Sequence, residues 1–144
     1  MRSFKVNQFG NPILKTKIYD FVAIQQAKDI IEKDPSRHFC INRLADMVGI
    51  NENKLKTGFR ELFQTTPYKY LVKLRLEKAR ELLEESDDTV QQISDKVGFE
   101  SYNGLSVAFK SAYQLSPTQY RKWLEGIQSG VIYTYKPSAE KATG

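Results

Sequence analysis

The residues of this sequence with the clearest chemical potential are basic, and they cluster in the middle of the chain. Residues 41–80 hold nine basic side chains against four acidic ones, a net charge of +5. The next twenty residues hold seven acidic side chains and only Lys96 as a base. This asymmetry favours contact between the middle of the chain and a polyanion, although solvated helix faces of opposite sign would give the same pattern. Charge alone therefore leaves both interpretations open.

Two residue types that commonly carry chemistry are nearly absent. The 144-residue chain has one cysteine, Cys40, and one histidine, His38. This excludes an internal disulfide and a cysteine-based zinc site, and nearly excludes a histidine-dependent catalytic pair. There is no glycine-rich phosphate loop, so an enzyme is poorly supported and no cofactor is predicted. Without a membrane-length apolar run or a signal-peptide core, the chain is predicted to be cytoplasmic, with no membrane partner.

Apolar residues recur at helical spacing in seven segments, and none of these segments requires a strand partner. The predicted helices cover residues 21–33, 41–48, 52–64, 67–84, 90–97, 102–113 and 117–124. This pattern predicts an all-α fold for a chain of ordinary globular composition, with 40% hydrophobic residues. The flanking residues are predicted to form an N-terminal arm at 1–20 and a mobile tail at 126–144.

The chain contains an internal repeat. At an offset of 49 or 50 residues, eight positions correspond: Leu44, Val48, Gly49, Leu55, Phe59, Phe63, Pro67 and Tyr70 match Ile93, Val97, Gly98, Leu105, Phe109, Tyr113, Pro117 and Tyr120. Each copy predicts a short helix, a glycine turn and a longer helix, which is the helix-turn-helix pattern. A duplicated helical hairpin that binds protein would share it. The predicted division is a first unit at 21–66, a linker helix at 67–84 and a second unit at 85–125.

The predicted linker helix has a length that suits two adjacent grooves of DNA. At 1.5 Å per residue it would be about 27 Å long. Successive major grooves on one face of a duplex are about 34 Å apart. One molecule could therefore place two helices in two successive grooves.

Two long segments resemble the DNA-binding region of AraC/XylS-type bacterial transcription regulators: PYKYLVKLRLEKARELL at 67–83 and VQQISDKVGFESYNGLSVAFKSAYQLSPTQYRKW at 90–123. The most specific parts are Leu74-Arg75-Leu76 with Ala79 and Leu82-Leu83, the Val97-Gly98-Phe99 turn, Phe109-Lys110, and Ser116-Pro117 with Tyr120-Arg121. The resemblance covers about residues 22–124. It implies seven helices in two helix-turn-helix units and sequence-specific binding to double-stranded promoter DNA.

The resemblance also implies which residues meet DNA, because the second helix of each unit, here called the recognition helix, enters the major groove. These helices would run over 52–63 and 102–113. The base-reading candidates are Asn53, Lys54, Lys56, Thr57, Arg60, Tyr102, Asn103, Ser106 and Val107, with Gly104 beside them. Basic side chains can donate to guanine, asparagine can pair with adenine, and a threonine methyl can contact thymine. The candidates for phosphate contacts are Lys69, Lys73, Arg75 and Lys110. Each of these residues could also be an ordinary solvated side chain.

The sequence departs from the family pattern at several positions. Family members often have arginine where Thr57 and Val107 stand. The second recognition helix keeps only Lys110 as a base and contains Gly104, so we expect it to read weakly, by shape or through a thymine methyl, and the first unit to dominate. Cys40 is a poorer N-cap than its repeat partner Thr89 and is interpreted as a small buried residue.

Two functions therefore remain in competition. The leading one is a transcription regulator that acts by contacting RNA polymerase or by occluding the promoter. The alternative is a helical protein-interaction module with degenerate DNA readout, which the low basic content of residues 102–113 motivates. No small-molecule effector site is evident. About 20 residues before the first helix are too few to form a core, which leaves open a stand-alone regulator or a piece of a longer one.

Overall fold

The computed structural model describes residues 8–9 and 17–130 of the chain. Over this part it is all α-helical and has no strand, which confirms the predicted fold class. The seven helices are α1 (Ile18–Lys33), α2 (Ile41–Val48), α3 (Glu52–Phe63), α4 (Pro67–Glu85), α5 (Val90–Val97), α6 (Tyr102–Tyr113) and α7 (Pro117–Gln128). Most of the predicted arm, and the predicted tail beyond residue 130, lie outside the described residues.

The five helices from α3 to α7 each begin after a residue whose side chain caps the helix; at α4 this is Thr66, whose Oγ1 accepts a hydrogen bond from the Lys69 amide at 3.1 Å. Asn51 Oδ1 accepts a hydrogen bond from the Lys54 amide at the start of α3, and Ser101 Oγ accepts one from the Gly104 amide at the start of α6. Helices α5 and α7 begin with reciprocal capping boxes, in which Thr89 pairs with Gln92 and Ser116 pairs with Gln119. Such caps satisfy amide groups that the helix itself leaves unpaired, and they fix where each helix starts.

The outer ends of α1 and α7 differ from the prediction. Helix α1 starts at Ile18, three residues early, after Lys17, whose side chain makes no capping hydrogen bond. Helix α7 continues to Gln128 instead of ending at Leu124. Its extension passes through Gly126, because a single glycine inside a helix costs only about 1 kcal/mol.

Both helix-turn-helix corners are glycine turns in the left-handed region. Gly49 ends α2 at φ 78° and Gly98 ends α5 at φ 99°. A Cβ added at Gly98 would lie 2.4 Å from the carbonyl oxygen of Ser36, whereas nothing lies within 4 Å of the corresponding position at Gly49. Gly98 is therefore required both by its backbone angle and by a neighbouring backbone segment.

The described chain forms two compact units. The first unit contains α1, α2, α3 and the opening turn of α4, through Tyr70. Its core is built from eight buried apolar residues: Ala23, Ile24, Ala27, Ile31, Leu44, Ala45, Leu55 and Phe59. None of the helices in residues 17–130 has the combination of length and apolarity needed to cross a bilayer.

The second unit contains the rest of α4, α5, α6, α7 and the segment Pro35–His38. Its core is larger and includes two tyrosines: Leu76, Ala79, Leu83, Ile93, Val97, Leu105, Phe109, Ala112, Tyr113 and Tyr120. The Phe109 ring packs on Tyr113 at 4.7 Å and on Tyr120 at 5.6 Å between centroids. Phe109 and Tyr113 belong to the buried face of the recognition helix α6, and Tyr120 packs against Phe109 from α7.

The structural repeat extends beyond the predicted one and includes α1 and α4. In the first unit the Tyr70 hydroxyl donates to Glu32 on α1 at 2.5 Å. In the second unit the Tyr120 hydroxyl donates to Glu84 on α4. A cation lies over an aromatic ring one turn before each glutamate: Lys28 over Phe63, at 5.1 Å from the ring centroid, and Arg80 over Tyr113 at 5.4 Å. Helix α4 thus closes the first unit and takes the place of α1 in the second.

Candidate nucleic-acid interface

The first recognition helix, α3, presents a polar face opposite its buried one. Leu55, Gly58 and Phe59 are buried. Asn53, Lys54, Lys56 and Arg60 are exposed and Thr57 is half-buried, so all five predicted base-reading residues have accessible surface. The buried positions lie on one helical stripe and the candidates lie on the others, as the 3.6-residue period requires.

Both lysines of α3 lie close to carboxylates. Lys56 Nζ is 3.4 Å from Glu52 one turn earlier. Lys54 Nζ is 3.6 Å from the carboxylate of Asp20, a side chain on α1 with only 5% of its surface exposed. Part of the positive charge of this helix is therefore balanced within the first unit, whereas Arg60 has no carboxylate within 4 Å among the described residues.

The second recognition helix, α6, is held at its start by the preceding helix. The buried Ser94 hydroxyl donates to the Ser101 carbonyl at 3.1 Å. Asn103 and Lys110 are exposed, and Val107 is 72% exposed. Tyr102 is exposed, and its hydroxyl lies 3.4 Å from that of Thr118 on α7. The face of α6 opposite its core therefore carries the amide of Asn103, the aliphatic side chain of Val107 and, in the last turn, the basic Lys110.

Ser106 does not present its hydroxyl in the way that the prediction requires. Its side chain is half-buried, and its Oγ is buried without a hydrogen-bond partner among the described residues. A hydroxyl turned into the protein cannot contact a base edge from this position. We therefore remove Ser106 from the base-reading candidates.

The phosphate candidates divide into two groups. Lys69, Lys73 and Lys110 are exposed. Arg75 is only 8% exposed; its Nε donates to the Pro35 carbonyl at 2.7 Å and its Nη2 donates to the Arg37 carbonyl at 2.9 Å. The prediction of a phosphate contact is corrected for Arg75, which holds the segment between α1 and α2 instead.

Cys40 is also corrected, because the structure places it at the surface and not in a core. It precedes α2 in extended conformation and forms no side-chain cap, as its residue type predicts.

Two further residues belong to the candidate site but were missed by the sequence prediction. Asp20 reaches Lys54 from α1, and nothing in the spacing of the two residues indicates the pair. Tyr68 lies in the first turn of α4 and is 70% exposed. Its signal was available, because it follows the Thr66-Pro67 helix start and an exposed tyrosine hydroxyl can donate to a phosphate oxygen.

A family model for a helix-turn-helix domain matches residues 44–122, which cover both recognition helices and more than half of the chain. The chain belongs to the AraC/XylS family. This is a family of DNA-binding transcription regulators and not an enzyme class. Among residues 8–9 and 17–130 no group of three or more His, Cys, Asp or Glu side chains is placed to hold a metal ion.

Similar proteins are found both among curated sequences and among solved structures. The chain is 34% identical over 99 residues to the HTH-type transcriptional regulator AlkR of Acinetobacter baylyi, covering 69% of this chain and 32% of AlkR. It is 32% identical over 99 residues to an AraC-like protein of Streptomyces lividans, covering 69% and 33%. It spans about a third of these relatives. The C-terminal domain of the response regulator yesN from Fusobacterium nucleatum superposes with a TM-score of 0.63 at 31% identity, over 69% of this chain and 98% of that domain.

Proposed function

We propose that this chain is a sequence-specific transcription regulator that binds double-stranded promoter DNA, with α3 and α6 in successive major grooves. The observation that carries this proposal is the pair of N-capped helices, each anchored by a buried aromatic face and each presenting polar residues outward. Family membership supports the same function. A regulator of this kind would act in the cytoplasm, by contacting RNA polymerase or by occluding its site.

The charge distribution supports a dominant role for the first unit. Helix α3 has three basic residues on its accessible surface and α6 has one. Partial pairing of Lys54 and Lys56 with carboxylates reduces this difference but leaves Arg60 available. We therefore expect substitutions in α3 to weaken DNA binding more than matched substitutions in α6.

The proposal is tested by fluorescence anisotropy on duplexes selected from a random pool, repeated across salt concentrations. The expected result is a selected sequence bound at least about a thousandfold more tightly than bulk DNA, with a steep salt dependence. Weak binding that ignores sequence would contradict the proposal.

Four variants separate base readout from phosphate contact. Lys56→Ala and Thr57→Ala should relax the preference for the selected duplex, whereas Lys73→Ala should weaken binding to all duplexes and lower the salt slope by about one. Lys78→Ala is the matched control, since Lys78 is an exposed lysine of the same helix whose Nζ pairs with Glu81 at 3.3 Å. It should leave sequence preference unchanged and alter the salt slope less than Lys73→Ala.

A protein-interaction module remains the second candidate, and one observation favours it: the apolar Val107 on the α6 face is 72% exposed. Exposed apolar residues at a helix surface can mark protein contacts. If the purified chain shows no selected DNA sequence in the anisotropy experiment, this candidate takes the place of the first.

A further inference from the structure

The two recognition helices carry a matched stripe of three residues, which we call the reading stripe. On α3 it is Asn53, Thr57 and Arg60, and on α6 it is Asn103, Val107 and Lys110. The spacing i, i+4, i+7 places the three side chains along one helix face. The buried residues of α3 and α6 begin at the corresponding positions Leu55 and Leu105. The two stripes therefore have the same orientation relative to their cores.

The stripe residues have related chemistry in the two helices. Asparagine is identical and suits adenine, and arginine and lysine both suit guanine or a phosphate. Threonine and valine are close in shape, because each has a branched Cβ that bears a methyl group and has a restricted χ1 angle. A methyl group held in this way can meet the 5-methyl of thymine.

The larger differences between the helices lie beside the stripe. Lys54 and Lys56 of α3 correspond to Gly104 and Ser106 of α6. Val107 is 72% exposed, while Thr57 is half-buried. The methyl contact should therefore be strongest in the second unit.

We infer that the two units read similar half-sites. Each half-site would contain an adenine that pairs with the stripe asparagine and a thymine whose 5-methyl packs on Thr57 or Val107. This inference rests on the proposed function, because it specifies which bases the same two helices select. It also assigns Val107 as a specificity-determining residue, although it can form no hydrogen bond through its side chain.

The selected duplexes give the first test. The expected consensus contains two half-sites that share an adenine and a thymine at the same spacing from each other. Two unlike half-sites would overturn the inference and leave the proposed function standing. Failure to select any sequence would overturn the proposed function itself, so the two failures are distinguishable.

Replacing thymine by uracil gives the second test, because this change removes only the 5-methyl group. At one thymine of the second half-site, uracil should weaken binding about threefold to fourfold, the value of one buried methyl group. Val107→Ala should bind the parent duplex less tightly and lose its response to that uracil, while Val107→Thr should keep the response. If uracil has the same effect on the parent and on Val107→Ala at every thymine, the inference is wrong.

The first unit supplies a matched pair of variants. Thr57→Val keeps the methyl and should preserve the response to uracil in the first half-site, whereas Thr57→Ser removes the methyl and should abolish it. Circular dichroism of each variant checks that the helices are retained. A response that survives in Thr57→Ser would contradict the assignment for that unit.

Discussion

At the scale of single residues, basic side chains that are alike in the sequence have different roles in the structure. Lys73 and Arg75 lie two residues apart on α4, and both were predicted to contact phosphate. Lys73 is exposed, whereas the Arg75 guanidinium binds two carbonyl groups of the segment between α1 and α2. The sequence shows that both residues are basic but does not show what each one binds. The carbonyls that bind Arg75 lie about 40 residues earlier in the chain.

Arg75→Ala and Lys73→Ala should therefore separate stability from DNA binding. Arg75→Ala should lower the free energy of unfolding by about 2–3 kcal/mol, because two partly buried carbonyls lose a charged donor. Lys73→Ala should change it by less than about 0.5 kcal/mol. Urea unfolding measures both values. A reduced salt slope for folded Arg75→Ala, measured by anisotropy, would restore the phosphate contact and contradict our correction.

The two turn glycines give another comparison of single residues. Gly49→Ala should cost about 1 kcal/mol, from the left-handed backbone alone. Gly98→Ala should cost about 3 kcal/mol, because its new Cβ would also meet the Ser36 carbonyl oxygen at 2.4 Å. Equal losses in thermal or urea unfolding would show that the Ser36 segment moves freely away from the turn.

At the scale of helices and turns, the sequence was most informative where a residue type forces a boundary. The ends of α2 and α5 follow from Gly49 and Gly98, and the starts of α4 and α7 follow from a hydroxyl residue before proline. These four predicted helix boundaries agree with the structure. The start of α1 differs by three residues because Lys17 makes no side-chain cap, and the end of α7 differs by four because Gly126 does not end the helix.

In the candidate site, too, some features follow from the local sequence and others depend on contacts with distant parts of the chain. Which residues of α3 and α6 face outward could be predicted from the helical period, and most of the candidates are accessible. The exceptions at Arg75 and Ser106, and the Asp20–Lys54 pair, depend on what other elements place beside them. Periodicity identifies a face but not the groups that lie against it.

Gly104 gives a prediction for the recognition helix α6. An alanine Cβ there would meet the Ser101 Oγ at 3.4 Å and the Phe99 ring at 3.7 Å, both ordinary contacts. Gly104→Ala should therefore raise the free energy of unfolding by about 0.5–1 kcal/mol through helix propensity. Urea unfolding measures this effect, and a loss of stability would contradict the expectation.

At the scale of the whole molecule, the buried tyrosines make the free energy of unfolding fall at alkaline pH. Burial raises the pKa of Tyr113 and of Tyr120 above the ordinary value of about 10, and for Tyr120 the hydrogen bond to Glu84 raises the pKa further. The folded state therefore holds phenol protons that the unfolded chain releases. This contribution to stability is fully present below about pH 10 and is lost as pH rises above that value.

Urea unfolding between pH 8 and pH 11 should show this loss. The free energy of unfolding should fall above about pH 10, and Tyr120→Phe should fall less steeply because it lacks one of the buried phenols. Tyr68→Phe removes an exposed phenol and is the matched control, expected to fall as the parent does. Identical pH profiles for the parent and Tyr120→Phe would contradict the assignment.

Helix α4 also restricts how this module can be inherited. Its first turn binds Glu32 through Tyr70, and its later turns supply Glu84 to Tyr120, so one helix completes two copies of the same arrangement. A genetic exchange that cut the gene at the boundary between the copies would split α4. Each fragment would then lack part of the helix that completes its packing. The pair should therefore be transmitted between genes intact, whereas added domains can be gained or lost outside it.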